Sequence, residues 1–305
     1  IFALKRSGYS LKLKKPKNYN KINKFLDRAK PQIGNGFALQ VNILISGLIA
    51  SFEQGGISTL YYAEGLYQLP LALFGLSIGT VLLPTLSSLD PRKDLEEINI
   101  VIKKSLRFAL IMSIPSAIGL SMVSIPLIEV IYQHGLFNSL NTLIVSKTLI
   151  AFSFGLPAFV LIKIYLPIFY SLGDTKSPFR YSLVSIIINI VLALLLFPKY
   201  GIIGLAISTS LSSWVNLFLL INKLKDSTIS IFLMKLDIDL LKIIIASFLM
   251  SLIIYFCSIL MIDLSGILFL SILILTGVIS YFLILFLLGV LSKNDIPSII
   301  RNIIF

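Results

Sequence analysis

The chain has 305 residues, of which 57% are hydrophobic and only 13% charged, and its mean hydropathy is +0.96; soluble domains are roughly 45–50% apolar and about 25% charged. The net charge is +12, but the basic residues sit in short segments between apolar runs, where membrane topology accounts for them and nucleic acid does not. A single cysteine, Cys257, and a single histidine, His134, exclude a Cys/His zinc site and a disulfide framework, and nothing beside His134 resembles a nucleophile elbow. No cofactor and no metal are expected.

The composition predicts an all-α, polytopic membrane helix bundle. A spanning helix needs about 20 apolar residues. Eight stretches qualify, at roughly 33–53, 57–86, 105–132, 144–171, 178–197, 201–222, 239–262 and 265–291. They divide the chain into a basic segment (1–30), six spans (31–222), a linker (223–238), and two further spans with a tail (239–305). Position 1 opens as IFALKRSG, as if continuing an upstream apolar helix, so the chain reads as the C-terminal part of a longer protein. With the first segment cytoplasmic, 23 of the 26 Lys and Arg fall on the cytoplasmic side. That bias predicts eight crossings with both ends inside. Residues 11–30 read either as an amphipathic helix on anionic lipid or as a topology-setting loop.

In the first span, Gln40 and Asn42 point about 200° apart on a helix. They read as interhelical hydrogen-bonding groups or as contacts to a polar substrate. In the second span, Tyr61, Glu64 and Gln68 are spaced three and four apart and share one face. A polar seam leading into the apolar run Leu69–Leu83 is costly unless it faces protein or a watery cavity. Pro70 bends this span and Pro84 is expected to end it, while Gly75 and Gly79 form a close-packing step. Pro115 and Pro126 interrupt the third span, whose outer end carries Glu129 and His134 at an interfacial level. Pro157 and Pro167 interrupt the fourth.

Lys163 lies well inside the fourth span, about two turns from its cytoplasmic end, which strains snorkelling. It predicts a cavity-facing cation suited to an anion such as phosphate. Asn189 in the fifth span and Asn216 in the sixth read as hydrogen-bonding glue or, at Asn189, as a cation ligand. Gly204, Ser208 and Ser212 repeat a small-residue spacing on the sixth. The last two spans lack proline and read as accessory helices or the walls of a lipid-facing groove. The one acidic cluster, Asp90 to Glu97, is interspersed with Arg92 and Lys93 and reads as a solvated loop, so no enzyme is expected.

The runs FALQVNILISGLIASF, GGISTLYYAEGLYQLPLALFGLSIGTVLLPTLS, IPLIEVIYQHGLF and FYSLGDTKSPFR resemble the MurJ/MviN lipid II flippases, of the multidrug/oligosaccharidyl-lipid/polysaccharide exporter superfamily. The resemblance covers nearly the whole chain and matches spans seven to fourteen of that family. It implies the second six-helix lobe of a transporter, two accessory helices, and a partnering first lobe that this chain does not contain. It implies transport of undecaprenyl-diphosphate-linked peptidoglycan precursor across the bacterial cytoplasmic membrane, in cell-wall biogenesis and cell shape. The substrate would be a lipid-linked anionic saccharide. Lys163, Glu64, Gln68, Tyr61, Gln40 and Asn42 are the candidate binding residues. Two departures stand out. Gly65 replaces the arginine that follows the acidic residue of the family's YYA motif. Ser46 and Ala193 replace acids of a sodium site found in some members, with Asn189 retained. Other readings are an exporter of a different polyprenyl-linked saccharide or of drugs, a non-transporting cell-wall scaffold, and an inactive truncated copy.

Overall fold

A computed structural model describes residues 33, 34, 36, 37, 40–90, 93–225, 237–261 and 266–290. The basic segment 1–30, most of the linker 223–238 and the tail lie outside them. Every regular element among the described residues is helical. Seven helical stretches are long and apolar enough to cross a membrane. The first predicted span is represented by the shorter apolar helix α1, Gln40–Ala50.

The second span runs as α2 (Gly56–Pro70), a π-helical segment (Leu71–Leu76) and α3 (Ser77–Ser88). Pro70 cannot donate to the preceding turn, and the wide turn follows directly behind it. Pro84 does not end the span as expected; the helix continues to Ser88 and stops where Leu89 turns extended. Pro84 costs only the bond to the Thr80 carbonyl, and its fixed φ is itself helical, so the helix can run on.

The third span divides into α4 (Leu95–Met122) and α5 (Ser124–Tyr132) at Val123. It begins ten residues earlier than the apolar run, because charged turns with Glu96 and Glu97 extend α4 beyond bilayer depth. Then come α6 (Ser139–Ser171), α7 (Lys176–Tyr200), α8 (Ile202–Lys225), α9 (Asp237–Leu260) and α10 (Gly266–Leu287). Helices α7 and α8 form a tight hairpin: α7 runs through Pro198 and Tyr200, and the turn is Gly201 alone, at φ +56.

Helix α6 is the axial element. Its buried residues include Val145, Leu149, Leu156, Val160, Ile164 and Ile168, and it packs against α2, α3, α4, α5 and α8. Helix α8 docks by its small residues. A Cβ on Gly204 would lie 2.7 Å from the carbonyl oxygen of Leu196, and Ser185 donates to the Ser212 carbonyl at 2.7 Å. Ser210 donates to Ala151 of α6 at 2.6 Å. Gly204 and Ser212 of the small-residue spacing read from the sequence therefore meet α7, while Ser210, outside that spacing, meets α6.

Lys93, Lys103, Lys104, Arg107, Lys176, Arg180, Lys223 and Lys225 gather toward one end of the bundle, called the basic end below. Glu53, Gly201 and the loop 133–138 mark the opposite end.

Candidate functional site

Helix α2 presents one open face. Tyr61 is 76% exposed, Gln68 is exposed and Glu64 is half-buried. Gly65 is exposed beside them, and a Cβ built there meets nothing within 4 Å. The opposite face anchors the helix. The buried Tyr67 ring lies 4.8 Å from Phe152 and 5.4 Å from Phe159 of α6, and its hydroxyl reaches Glu64 Oε1 at 3.5 Å. Aromatic pairs of this kind add about 0.5–1.5 kcal/mol beyond the area they bury. The polar seam is thus held outward by a fixed aromatic stack behind it.

Further along the same span, Gly75 and Gly79 bring it against α6 at Lys163. A Cβ on Gly75 would lie 3.4 Å from Val160 Cα and 3.5 Å from Lys163 Cγ; one on Gly79 would lie 2.8 Å from the Lys163 carbonyl oxygen. That carbonyl sits four residues before Pro167, which has no N–H to give it. Glycine lets the neighbouring backbone close over a carbonyl the helix itself leaves open, in the manner of a Cα–H···O contact. The Lys163 stem therefore lies in a crease between spans, half-buried. Among the described residues, nothing gives its ammonium a hydrogen bond or an ion pair. It stands eight residues before the end of α6, about 12 Å along the axis.

The other candidates are placed differently. Asn189 is 2% exposed and donates from Nδ2 to Asn42 Oδ1 at 2.9 Å, joining α7 to α1. Its own Oδ1 is enclosed without a partner among the described residues, as is that of Asn216. Ala193 is buried on the same side of α7, beside Ile49 and Ala50 of α1. Gln40 is exposed at the start of α1. Glu129 and His134 are both exposed, as their interfacial reading requires. No group of three or more His, Cys, Asp or Glu side chains among the described residues could hold a metal ion.

Three features were not anticipated from the sequence. Glu53 accepts from the backbone N–H of Ile202 at 3.1 Å and caps α8 against Gly201. Asp174 accepts from the N–H groups of Lys176 and Ser177 at 3.1 and 2.9 Å, closing the start of α7. Partial burial pushes the Asp174 carboxyl up, but the hydrogen bonds from Ser177 and Lys176 and the charge of Lys223 outweigh it and hold it below the usual carboxylate range. Arg107 and Tyr281 tie the last two spans to α4. A cap such as Asp174 is legible as an acid before a helix. The Arg107 and Tyr281 ties cross far-separated parts of the chain and leave no local pattern.

These elements define a class: a helical lobe of six spans with two appended helices, the architecture of a multidrug/oligosaccharidyl-lipid/polysaccharide-type transporter. A transporter of that superfamily from Pyrococcus furiosus shares the fold, with a TM-score of 0.61 at 18% identity over 77% of this chain and 54% of that one. A solved lipid II flippase MurJ in an inward closed conformation matches more fully, with a TM-score of 0.72 and 31% identity, covering 93% of this chain and 57% of that chain.

The family described as lipid II flippase MurJ matches residues 1–277, and the chain belongs to it. Among curated relatives, a probable lipid II flippase MurJ of Rickettsia prowazekii is 39% identical over 199 residues, 65% of this chain and 39% of that protein. One from Rhizobium tropici is 37% identical over 214 residues, 70% of this chain and 40% of that protein. The chain thus spans about 40% of the length of the curated relatives it matches.

Proposed function

We propose that this chain forms one lobe of a flippase that moves the undecaprenyl-diphosphate-linked peptidoglycan precursor across the bacterial cytoplasmic membrane. The basic end faces the cytoplasm, as the distribution of Lys and Arg favours. A second lobe completes the passage. The two lobes rock around a central path, exposing it to one side and then the other. No covalent step is needed, so the protein is not an enzyme.

The observation that carries this reading is Lys163. An ammonium inside a span is costly unless water or an anion receives it, up to about 2.5–3.5 kcal/mol at the bilayer centre on insertion scales. It has no protein partner among the described residues, and it sits at the crease where two spans meet at Gly75 and Gly79. A diphosphate headgroup supplies the missing anion. Tyr61, Glu64 and Gln68 extend the polar path along α2 toward the other end, and the exposed Gln40 of α1 is a further polar contact for the headgroup, while the polyprenyl tail stays in lipid. Asn42 and Asn189 bond each other, which favours a role in joining α1 to α7 over contact with substrate or cation. With Ser46 and Ala193 where acids would be needed, the reading includes no sodium coupling through Asn189.

Growth rescue tests the reading. In a flippase carrying this chain, Lys163→Ala abolishes rescue of a flippase-depleted cell at normal expression, and Lys163→Arg retains it. Full rescue by Lys163→Ala would contradict the cavity role.

A further inference from the structure

Among the described residues, polar side chains join the last two spans to α4. Two polar ties do this, and both use groups that α4 leaves available. The first is near mid-helix. Pro115 has no N–H, so the carbonyl of Ile111, four residues before it, has no amide partner within α4. The Tyr281 hydroxyl of α10 donates to that oxygen at 2.6 Å. Tyr281 is 2% exposed, and Ser247 of α9 lies beside the same phenol. The second tie is at the basic end. Arg107 Nε stands 3.1 Å from Asp239 Oδ2 in the first turn of α9, an ion pair without hydrogen-bond alignment, and Arg107 Nη2 donates to the Val290 carbonyl, just past α10, at 2.6 Å.

One guanidinium therefore bridges both ends of the helical hairpin. It meets an acid where α9 begins and a free carbonyl where α10 ends, and a cation is favoured at the latter. The end of α10 is itself shaped for this: Gly289 turns left-handed at φ +68, and the Val290 N–H returns to Leu285 at 3.1 Å, which leaves the Val290 carbonyl facing α4. Past the Tyr281 tie, away from the basic end, the contact is apolar, with Met250 Cε 3.9 Å from a Cβ built on Gly119.

We propose that Pro115 is a docking notch for Tyr281, and that Tyr281 and Arg107 are positioning residues that fasten the accessory pair α9–α10 to α4 as one rigid unit with the lobe. Under the transporter reading, on which only this consequence rests, a groove walled by the pair travels with this lobe when the two lobes move. The guanidinium cannot be replaced by lysine without losing one of its two partners, since a single ammonium on a flexible stem lacks the fork that reaches both.

The test uses the whole chain in lipid nanodiscs, with Cys257→Ser and Ala246→Cys. Ala246 is fully buried on α9, so a lipid-soluble maleimide reaches the introduced thiol only when the pair lifts away. Tyr281→Phe should raise the labelling rate about 3- to 20-fold, the range for one membrane hydrogen bond. Pro115→Ala returns an N–H to the Ile111 carbonyl. In that background, Tyr281→Phe should change the rate by less than about twofold. Arg107→Lys should raise labelling in either background. Equal effects of Tyr281→Phe in both backgrounds, or no effect in either, would overturn the notch. An unchanged rate in Arg107→Lys would overturn the clamp. Growth rescue is not part of this readout, so failure here leaves the transport reading to stand or fall on Lys163.

Discussion

At the scale of single residues, the sequence identified which side chains were out of place in lipid but not what each of them touches. Lys163 was legible because a charge in an apolar run has few cheap explanations. The pairing of Asn42 with Asn189 was not, because the two lie 147 residues apart and nothing local couples them. Gly65 can be tested directly. Its Cβ position is open, so Gly65→Arg should fold normally and leave rescue unchanged or improved; a loss of folded protein on size-exclusion chromatography would show that α2 has adapted to glycine. Asp174 gives a pH dependence. Its folded-state pKa is lowered, so its contribution is fully present above the usual carboxylate range and is lost as pH falls through the lowered value. Thermal stability of the wild-type chain should therefore drop on acidification through that range, and Asp174→Asn should flatten the drop. An identical pH profile in the variant would contradict the cap.

At the scale of elements, apolar runs placed most of the spans to within a few residues, because length and hydropathy are set by the bilayer, while the first is represented by the shorter helix Gln40–Ala50. Where charged turns extend a helix past the membrane, as in α4, hydropathy sees only the buried part. Proline was read as a breaker, but α4 runs unbroken through Pro115, α5 through Pro126 and α6 through both Pro157 and Pro167, because the fixed φ of proline is itself helical and each costs one hydrogen bond. Pro70 is followed by a π-turn and Pro84 by no break, and two of the freed carbonyls, at Ile111 and Lys163, are met by other spans. Such matches depend on tertiary packing, which no single stretch encodes. The crease makes its own prediction. Gly79→Ala puts a methyl 2.8 Å from the backbone oxygen of Lys163, which cannot rotate away, and overpacking of this sort costs about 1–3 kcal/mol. Gly65→Ala, in open space, should be neutral or gain about 0.5–1 kcal/mol. Melting temperatures of the two variants moving together would refute the close approach.

At the scale of the whole molecule, six spans form a lobe around α6, and α9–α10 are fastened to its α4 side. The fold class followed from composition, and the family followed from ordered motifs along α2, α5 and the α6–α7 turn. The account rests on water and phosphate reaching Lys163. That claim is tested most directly by chemical access at this position, in a flippase carrying this chain with Cys257→Ser and Lys163→Cys. The account predicts that a charged, water-soluble thiol reagent labels the introduced thiol, and that a charged ammonium-bearing thiol reagent, which restores a cation there, recovers growth rescue where a neutral one does not. Reaction with lipid-soluble reagents alone would contradict it.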